Sequence, residues 1–225
     1  MWKYFISSFL LAGHLIFAQA PDSARSKFAP SGLRIGTDLI TLSKGQLTDK
    51  FNGWEVNADV DFYRYFLAID YGLWERSLAI KNGAYQNNGN YWRIGVDVNF
   101  LLKDPDRNMF FLGFRYAGSS FDESLTYQYT DVNFGTVFNQ LNNNARKAHW
   151  GELVSGLRVK IWRGLWMGYT GRMKFGSGQR GVKQFDTYEI PGYGTLAKDL
   201  YWGFNYQIFW RLEWRKNLGP TRLQN

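Results

Sequence analysis

The sequence predicts an all-β protein, an eight-stranded antiparallel up-and-down transmembrane β-barrel. Three observations predict it. Eight segments alternate apolar and polar residues with a period of two, their connections take turns between short and long, and glycines stud the charged face opposite an aromatic-rich one.

The chain opens "MWKYFISSFLLAGHLIFAQAPDS". Lys3 precedes an apolar run from about Tyr4 to Phe17, and Ala18 and Ala20 flank Gln19. A basic start, an apolar stretch and an A-x-A site mark residues 1–20 as a cleaved secretory signal ending near Ala20. A membrane anchor is the alternative, but the run falls short of the roughly 20 apolar residues that a spanning helix needs. Residues 21–30 then form a periplasmic N-terminal segment, and the barrel occupies 31–214. No cysteine occurs in the chain, which excludes disulfides and a lipidated N-terminus.

Cleavage reduces the 225 residues by 20, a length suited to one domain, and the formal charge of +8 becomes +7 once Lys3 leaves. The basic residues are scattered without a stripe, so nucleic acid is not an expected partner. Outer-membrane lipid, including the phosphates of lipopolysaccharide, is the expected one. Aromatic residues make up 19% with ten Trp, yet no later segment reaches 18 continuous apolar residues, so strands rather than helices must do any spanning.

The strands lie near 31–42, 53–62, 65–77, 90–101, 109–121, 149–162, 165–175 and 199–213. The stretch "WEVNADVDF" shows the pattern: Trp54, Val56, Ala58, Val60 and Phe62 share one face, and Glu55, Asn57, Asp59 and Asp61 the other. Three connections are short. Tyr63 and Arg64 join the second and third strands, "LKDPDRN" the fourth and fifth, and "WRG" the sixth and seventh, with Gly164 where a left-handed residue is wanted. The other four are long, as in a barrel entered from the periplasm.

Alternation alone does not say which face is inside. A soluble barrel of the lipocalin type, carrying an apolar ligand, would turn the rings inward. The apolar face holds too many large rings for an eight-stranded interior. Gly36, Gly72, Gly95, Gly113, Gly156, Gly168 and Gly203 sit on the polar face, where a crowded lumen gains from glycine and a solvated strand does not. The rings therefore face lipid. Trp54, Trp92, Phe175 and Trp202 form one interfacial girdle, and Phe62, Tyr65, Phe100, Phe110 and Trp210 the other.

The same parity sends Arg34, Asp38, Glu55, Asp59, Asp61, Asp70, Arg76, Arg93, Asp97, Arg115, Glu152, Arg158, Lys160, Arg172, Lys174 and Arg211 inward. Charges buried together persist only when paired, so a lumen ion-pair network and a closed plug are expected rather than a pore. Hairpin geometry puts Glu55 opposite Gly72, Asn57 opposite Asp70 and Asp59 opposite Ala68. It also sets Arg158 against Gly168 and Glu152 against Lys174, an expected cross-strand ion pair.

Catalytic candidates are few. The mature chain has one histidine, His149, whose parity differs from that of Glu152, and nothing couples it to Ser119 or Ser120. A rim enzyme acting on lipid or peptide is the alternative to a non-enzymatic, monomeric barrel that is structural or presents loops for binding. The long loops, about 122–148 and 176–198, are rich in Asn, Gln, Tyr and Gly, a composition suited to recognition. Arg146, Lys147, Arg180 and Lys183 stand there as contacts for lipopolysaccharide phosphates. No calcium loop, phosphate-cradling motif or other cofactor signal appears.

"HWGELVSGLRVKIWRGLWMGYTGRMKF", "DTYEIPGYG", "LYWGFNYQIFWRLEW" and "FLGFRYAGSSFDESLTYQ" resemble a domain-of-unknown-function family of outer-membrane β-barrel proteins from Bacteroidetes-type Gram-negative bacteria. The resemblance covers most of the mature chain. It implies architecture and location, and it brings no activity or catalytic residues. Such barrels commonly finish on an aromatic strand, whereas "RKNLGPTRLQN" follows Trp214 here and reads as a periplasmic tail, 215–225.

Overall fold

A computed structural model describes residues 29–133, 135–196 and 200–213. The expected signal 1–20, most of the segment 21–30, Trp214 and the tail 215–225 lie outside the described residues.

Eight antiparallel strands close into a barrel: β1 (Gly32–Asp38), β2 (Phe51–Phe62), β3 (Tyr65–Ile80), β4 (Gly83–Asn99), β5 (Met109–Asp131), β6 (Gly135–Trp162), β7 (Leu165–Arg180) and β10 (Leu200–Glu213). Each pairs with its sequence neighbours, and β10 closes the ring on β1. The small hairpin β8 (Glu189–Ile190) and β9 (Gly194–Thr195) sits in the connection from β7 to β10. The all-β, up-and-down fold class of the sequence is the one observed.

Burial is inverted relative to a water-soluble fold. Ile69 and Phe114 are each 51% exposed, while Asp97 and Glu152 are fully buried. Along β2 the acids and Asn57 are buried, and Trp54 and Val56 are exposed on the outer face. The register of the β2–β3 hairpin is the expected one, with Glu55 opposite Gly72, Asn57 opposite Asp70 and Asp59 opposite Ala68.

Several elements differ from the sequence expectation. The first strand ends at Asp38 rather than continuing to 42, and α1 (Leu39–Leu47) follows. The consecutive apolar pair Leu39–Ile40 breaks the period of two, and Asp38 is a helix cap whose carboxylate accepts from Thr41 N at 3.2 Å. The sixth-to-seventh connection is the pair Arg163–Gly164, in which Arg163 and not Gly164 is left-handed, at φ 42°. The expected long connection from the third strand to the fourth is a two-residue turn at Lys81–Asn82 with Asn82 at φ 62°. Most of the loop 122–148 is likewise strand, because β5 and β6 run on as a ribbon to 131 and from 135. The 28 residues of β6 would extend about 90 Å at roughly 3.3 Å each. A spanning strand needs only about 9–11 residues.

Candidate functional site

The nine rings expected in the girdles stand at the two ends of the outer face, with Tyr169 and Tyr206 midway between them. At the short-turn end, Phe62 and Tyr65 flank the Tyr63–Arg64 turn, Phe100 packs on Phe110 with centroids 6.2 Å apart, and Trp210 stands opposite Leu165. At the long-loop end, Trp54 tilts against Tyr71 at 6.0 Å, Trp92 packs edge-on to Tyr116 at 5.7 Å, and Phe175 meets Phe114 at 6.5 Å. Trp202 pairs in register with Met173 on the same face. Phe62 and Phe175 are half-buried; the other seven girdle residues are exposed.

The interior begins at the short-turn end with Asp61. Its carboxylate accepts from Ser31 N at 2.9 Å, Gly32 N at 2.8 Å, the Ser31 hydroxyl and Arg211 Nη2 at 2.9 Å. One layer further in, Asp59 receives Arg34 from the adjoining strand at 2.7 Å and Arg158 from across the interior at 2.6 Å. Arg158 also lies 3.6 Å from Asp97, which holds Arg115 at 2.7 Å. The guanidinium planes are sandwiched by rings: Arg34 over Phe66 and Trp166, Arg158 over Phe111 and Phe209. Such stacking replaces water around a cation that a carboxylate alone would leave partly unsatisfied.

The middle layer is a mesh of carboxylates and guanidiniums. Arg93 reaches Glu55 at 2.8 Å and Glu152 at 3.1 Å, and Arg172 reaches Asp70 at 3.0 Å and Glu152 at 3.1 Å. The remaining oxygen sites go to neutral donors, Tyr91 Oη on Glu55 at 2.6 Å and Trp150 Nε1 on Glu152 at 2.7 Å. Asn57 Nδ2 donates to both Glu55 and Asp70. Buried charges become tolerable when they are paired and hydrogen-bonded in this way.

Above this layer the loop after β7 folds into the barrel mouth. Ile190 and Tyr193 are fully buried and pack with Tyr91, Phe121 and Trp150. The Gly192 carbonyl accepts from Arg93 Nη2 at 3.1 Å and from Lys174 Nζ at 2.8 Å, and the Tyr193 carbonyl from Lys174 Nζ at 2.9 Å. The walls fasten the rest of the loop. Arg76 pairs with Glu189 at 2.6 Å, Asn87 Nδ2 donates to the Glu189 carbonyl at 2.6 Å, and Asn143 bonds Gln184 N and the Phe185 carbonyl. Burial pushes the Glu189 carboxyl above its ordinary range, with Arg76 pulling the other way.

Four expectations need correction here. Lys160 is exposed and joins no ion pair among the described residues. A bulge between Lys160 and Trp162 shifts the strand at the rim, and the Lys160 amide bonds the Asn108 side chain instead of β5. Asp38 is buried but serves α1, Asn205 and Tyr206 rather than a cation. Glu152 and Lys174 do stand opposite, yet the expected ion pair is replaced by the loop carbonyls on Lys174 and by two arginines on Glu152. Arg146 is buried, donating to the Gly181 carbonyl and Gln179, and the exposed Lys183 pairs with Asp186, which leaves Lys147 and Arg180 as the exposed members of that basic set without an ion-pair partner among the described residues.

His149 is half-buried on the outer face, stacked on Tyr116 with centroids 6.5 Å apart. Ser119 points inward and donates to the Asn90 carbonyl at 2.9 Å, and Ser120 stands opposite Lys147. Among the described residues no group of His, Cys, Asp and Glu could hold a metal ion. Sequence reading missed the inward rings Phe66, Tyr91, Phe111, Trp150, Trp166 and Phe209, although their parity with the charged residues was a usable signal.

These features define a class: an eight-stranded antiparallel barrel with an apolar outside and an inside of paired charges and stacked rings. The chain belongs to the family described as Domain of unknown function (DUF6048), whose model matches residues 1–216. No curated protein matches the chain. Among solved structures, the crystal structure of Acinetobacter baumannii CarO is similar at 12% identity with a TM-score of 0.40, over 83% of this chain and 98% of that one.

Proposed function

We propose that this protein is an integral, monomeric barrel of a Gram-negative outer membrane, delivered by a cleaved N-terminal signal and closed to ions. In this reading it acts by presenting its long β-ribbons outside the cell, and it performs no catalysis. The observation that carries the reading is the inverted burial, with Ile69 and Phe114 half-exposed while Asp97 and Glu152 are fully buried. In water such a surface would drive aggregation. In a bilayer it is the low-energy arrangement, and the closed sheet leaves no strand edge to be satisfied by lipid.

What crosses the interior supports the closed state. Asp59 with Arg158, and Asp70 with Arg172, bridge strands on opposite walls. The loop bearing Ile190 and Tyr193 covers the far end. An ion would have to displace a guanidinium from its carboxylate to pass.

Cell fractionation with an unboiled gel tests the reading. The chain is expected in the outer-membrane fraction, migrating faster before boiling than after. Recovery in the soluble periplasm without detergent would contradict it and favour a soluble barrel.

A further inference from the structure

Three rows of outward-facing residues climb the long-loop end of β5, β6 and β7. The lowest holds Tyr116, Gly151 and Phe175; the next Gly118, His149 and Gly178; the third Ser120, Lys147 and Arg180. Lys147 and Arg180 are therefore directly opposite, with Cβ atoms about 4.5–5.5 Å apart for such a pair. Both are exposed, and neither has an ion-pair partner among the described residues.

Like charges directly across a ladder destabilise it unless an anion lies between them. The nearby carboxylates are engaged elsewhere. Asp122 accepts from Ala145 N at 2.6 Å, Asp186 pairs with Lys183, and Glu123 is buried with Tyr85 and Asn143. Arg146, on the same strand, points inward. Below the basic pair, the half-buried His149 ring stacks on Tyr116 on the same outer face. A Cβ on Gly178 would meet only His149 Cδ2, at 3.9 Å, so the surface beside that ring is open. Trp92 covers Gly118 on the other side.

The height of the group fits one kind of ligand. Lys147 is four residues beyond Gly151, the girdle row, which is about 13 Å along the strand at roughly 3.3 Å per residue. With a strand tilt of about 35–45° that is about 10 Å above the girdle, among the headgroups rather than in the hydrocarbon. We propose that Lys147, Arg180 and His149 bind the sugar-borne phosphate monoester of an outer-leaflet glycolipid. Its acyl chains would lie along Tyr116, Leu153 and Phe175, and its phosphate over Gly178. Arg180 supplies a planar fork of donors and Lys147 a point charge, the two modes by which proteins hold phosphate. The proposal rests on the membrane-spanning reading above and adds a bound lipid to it.

The test uses the full-length purified protein in phosphatidylcholine vesicles containing lipid A with its phosphates, lipid A stripped of them, or neither. Flotation and heat-modified migration report the barrel; lipid retained after detergent washing reports the site. The intact chain is expected to float, to retain phosphorylated lipid A near one per chain and to retain little of the stripped form. Lys147→Gln with Arg180→Gln should float and migrate as the parent does while retaining about tenfold less or lower still. Equal retention by the double variant, or of the stripped lipid, would overturn the site and leave the membrane reading standing. Displacement by inorganic phosphate at equal concentration would overturn the lipid as the source of the anion. Failure of the parent to float would overturn both readings together.

Discussion

At Asp59 two guanidiniums converge on one carboxylate, Arg34 at 2.7 Å and Arg158 at 2.6 Å, all three side chains nearly without solvent contact. Asp59→Asn would leave both cations short of a counter-charge inside the barrel. Breaking a buried pair in this way costs about 3–5 kcal/mol, so the boiling temperature needed to convert the compact gel band should fall. Adding Arg158→Met should recover part of the loss, since the remaining pairing problem shrinks. Glu189 is a different case. Burial favours its neutral form, against Arg76, Lys44 and Lys174, and so its pKa lies above the ordinary 4.5. A raised value means that protonation helps the docked loop. That contribution is complete below about 4.5 and is lost as pH rises through the raised value. Intrinsic-rate-corrected hydrogen exchange of residues 186–194 should therefore show greater protection at pH 5 than at pH 8, and Glu189→Gln should flatten the difference. The sequence revealed which charges face inward along unbroken strands, because parity decides that there, and it misplaced Lys160, where a bulge interrupts the strand. It did not reveal who pairs with whom. Lys174 shows why: its strand partner is Glu152, but the carbonyls it binds arrive from a loop about 18 residues further along, whose path no local pattern encodes.

Among the elements, the strands that alternate were legible and those that do not were missed. "WEVNADVDF" keeps its period through all nine residues, and the register it implied is the one observed. The ribbon "NQLNNNARK" carries polar residues on both faces, so nothing in its pattern separates strand from loop, although β6 runs through it. Helix α1 was hidden for another reason: its cap, Asp38, reads equally well as one more inward acid. The loop after β7 depends on Gly192, at φ 78°, where a Cβ would also strike the Tyr91 ring at 2.5 Å. Gly192→Ala is expected to weaken docking by at least the about 1–2 kcal/mol of a left-handed alanine. Exchange of residues 186–194 should then speed up about 5–30-fold while the barrel ladder stays protected. Equal protection in the variant would show that the loop is held without that turn.

For the whole molecule, the distribution of charge and apolar area follows from a single closure. Pairing β1 with β10 on one side and with β2 on the other closes the ring, sets Arg34 beside Asp59 and turns the apolar face of the alternating strands outward. The interior is then served by its own side chains, and acids and bases from opposite walls pair across it. A barrel filled in this way should insert into lipid yet pass no current. The most direct test reconstitutes the full chain in a planar bilayer, with insertion verified by the faster migration of the recovered, unboiled protein, and records ion conductance across it. The expected result is a verified insertion with no steady single-channel current. Steady unitary currents from the intact chain, abolished when the chain is boiled before reconstitution, would contradict the closed interior.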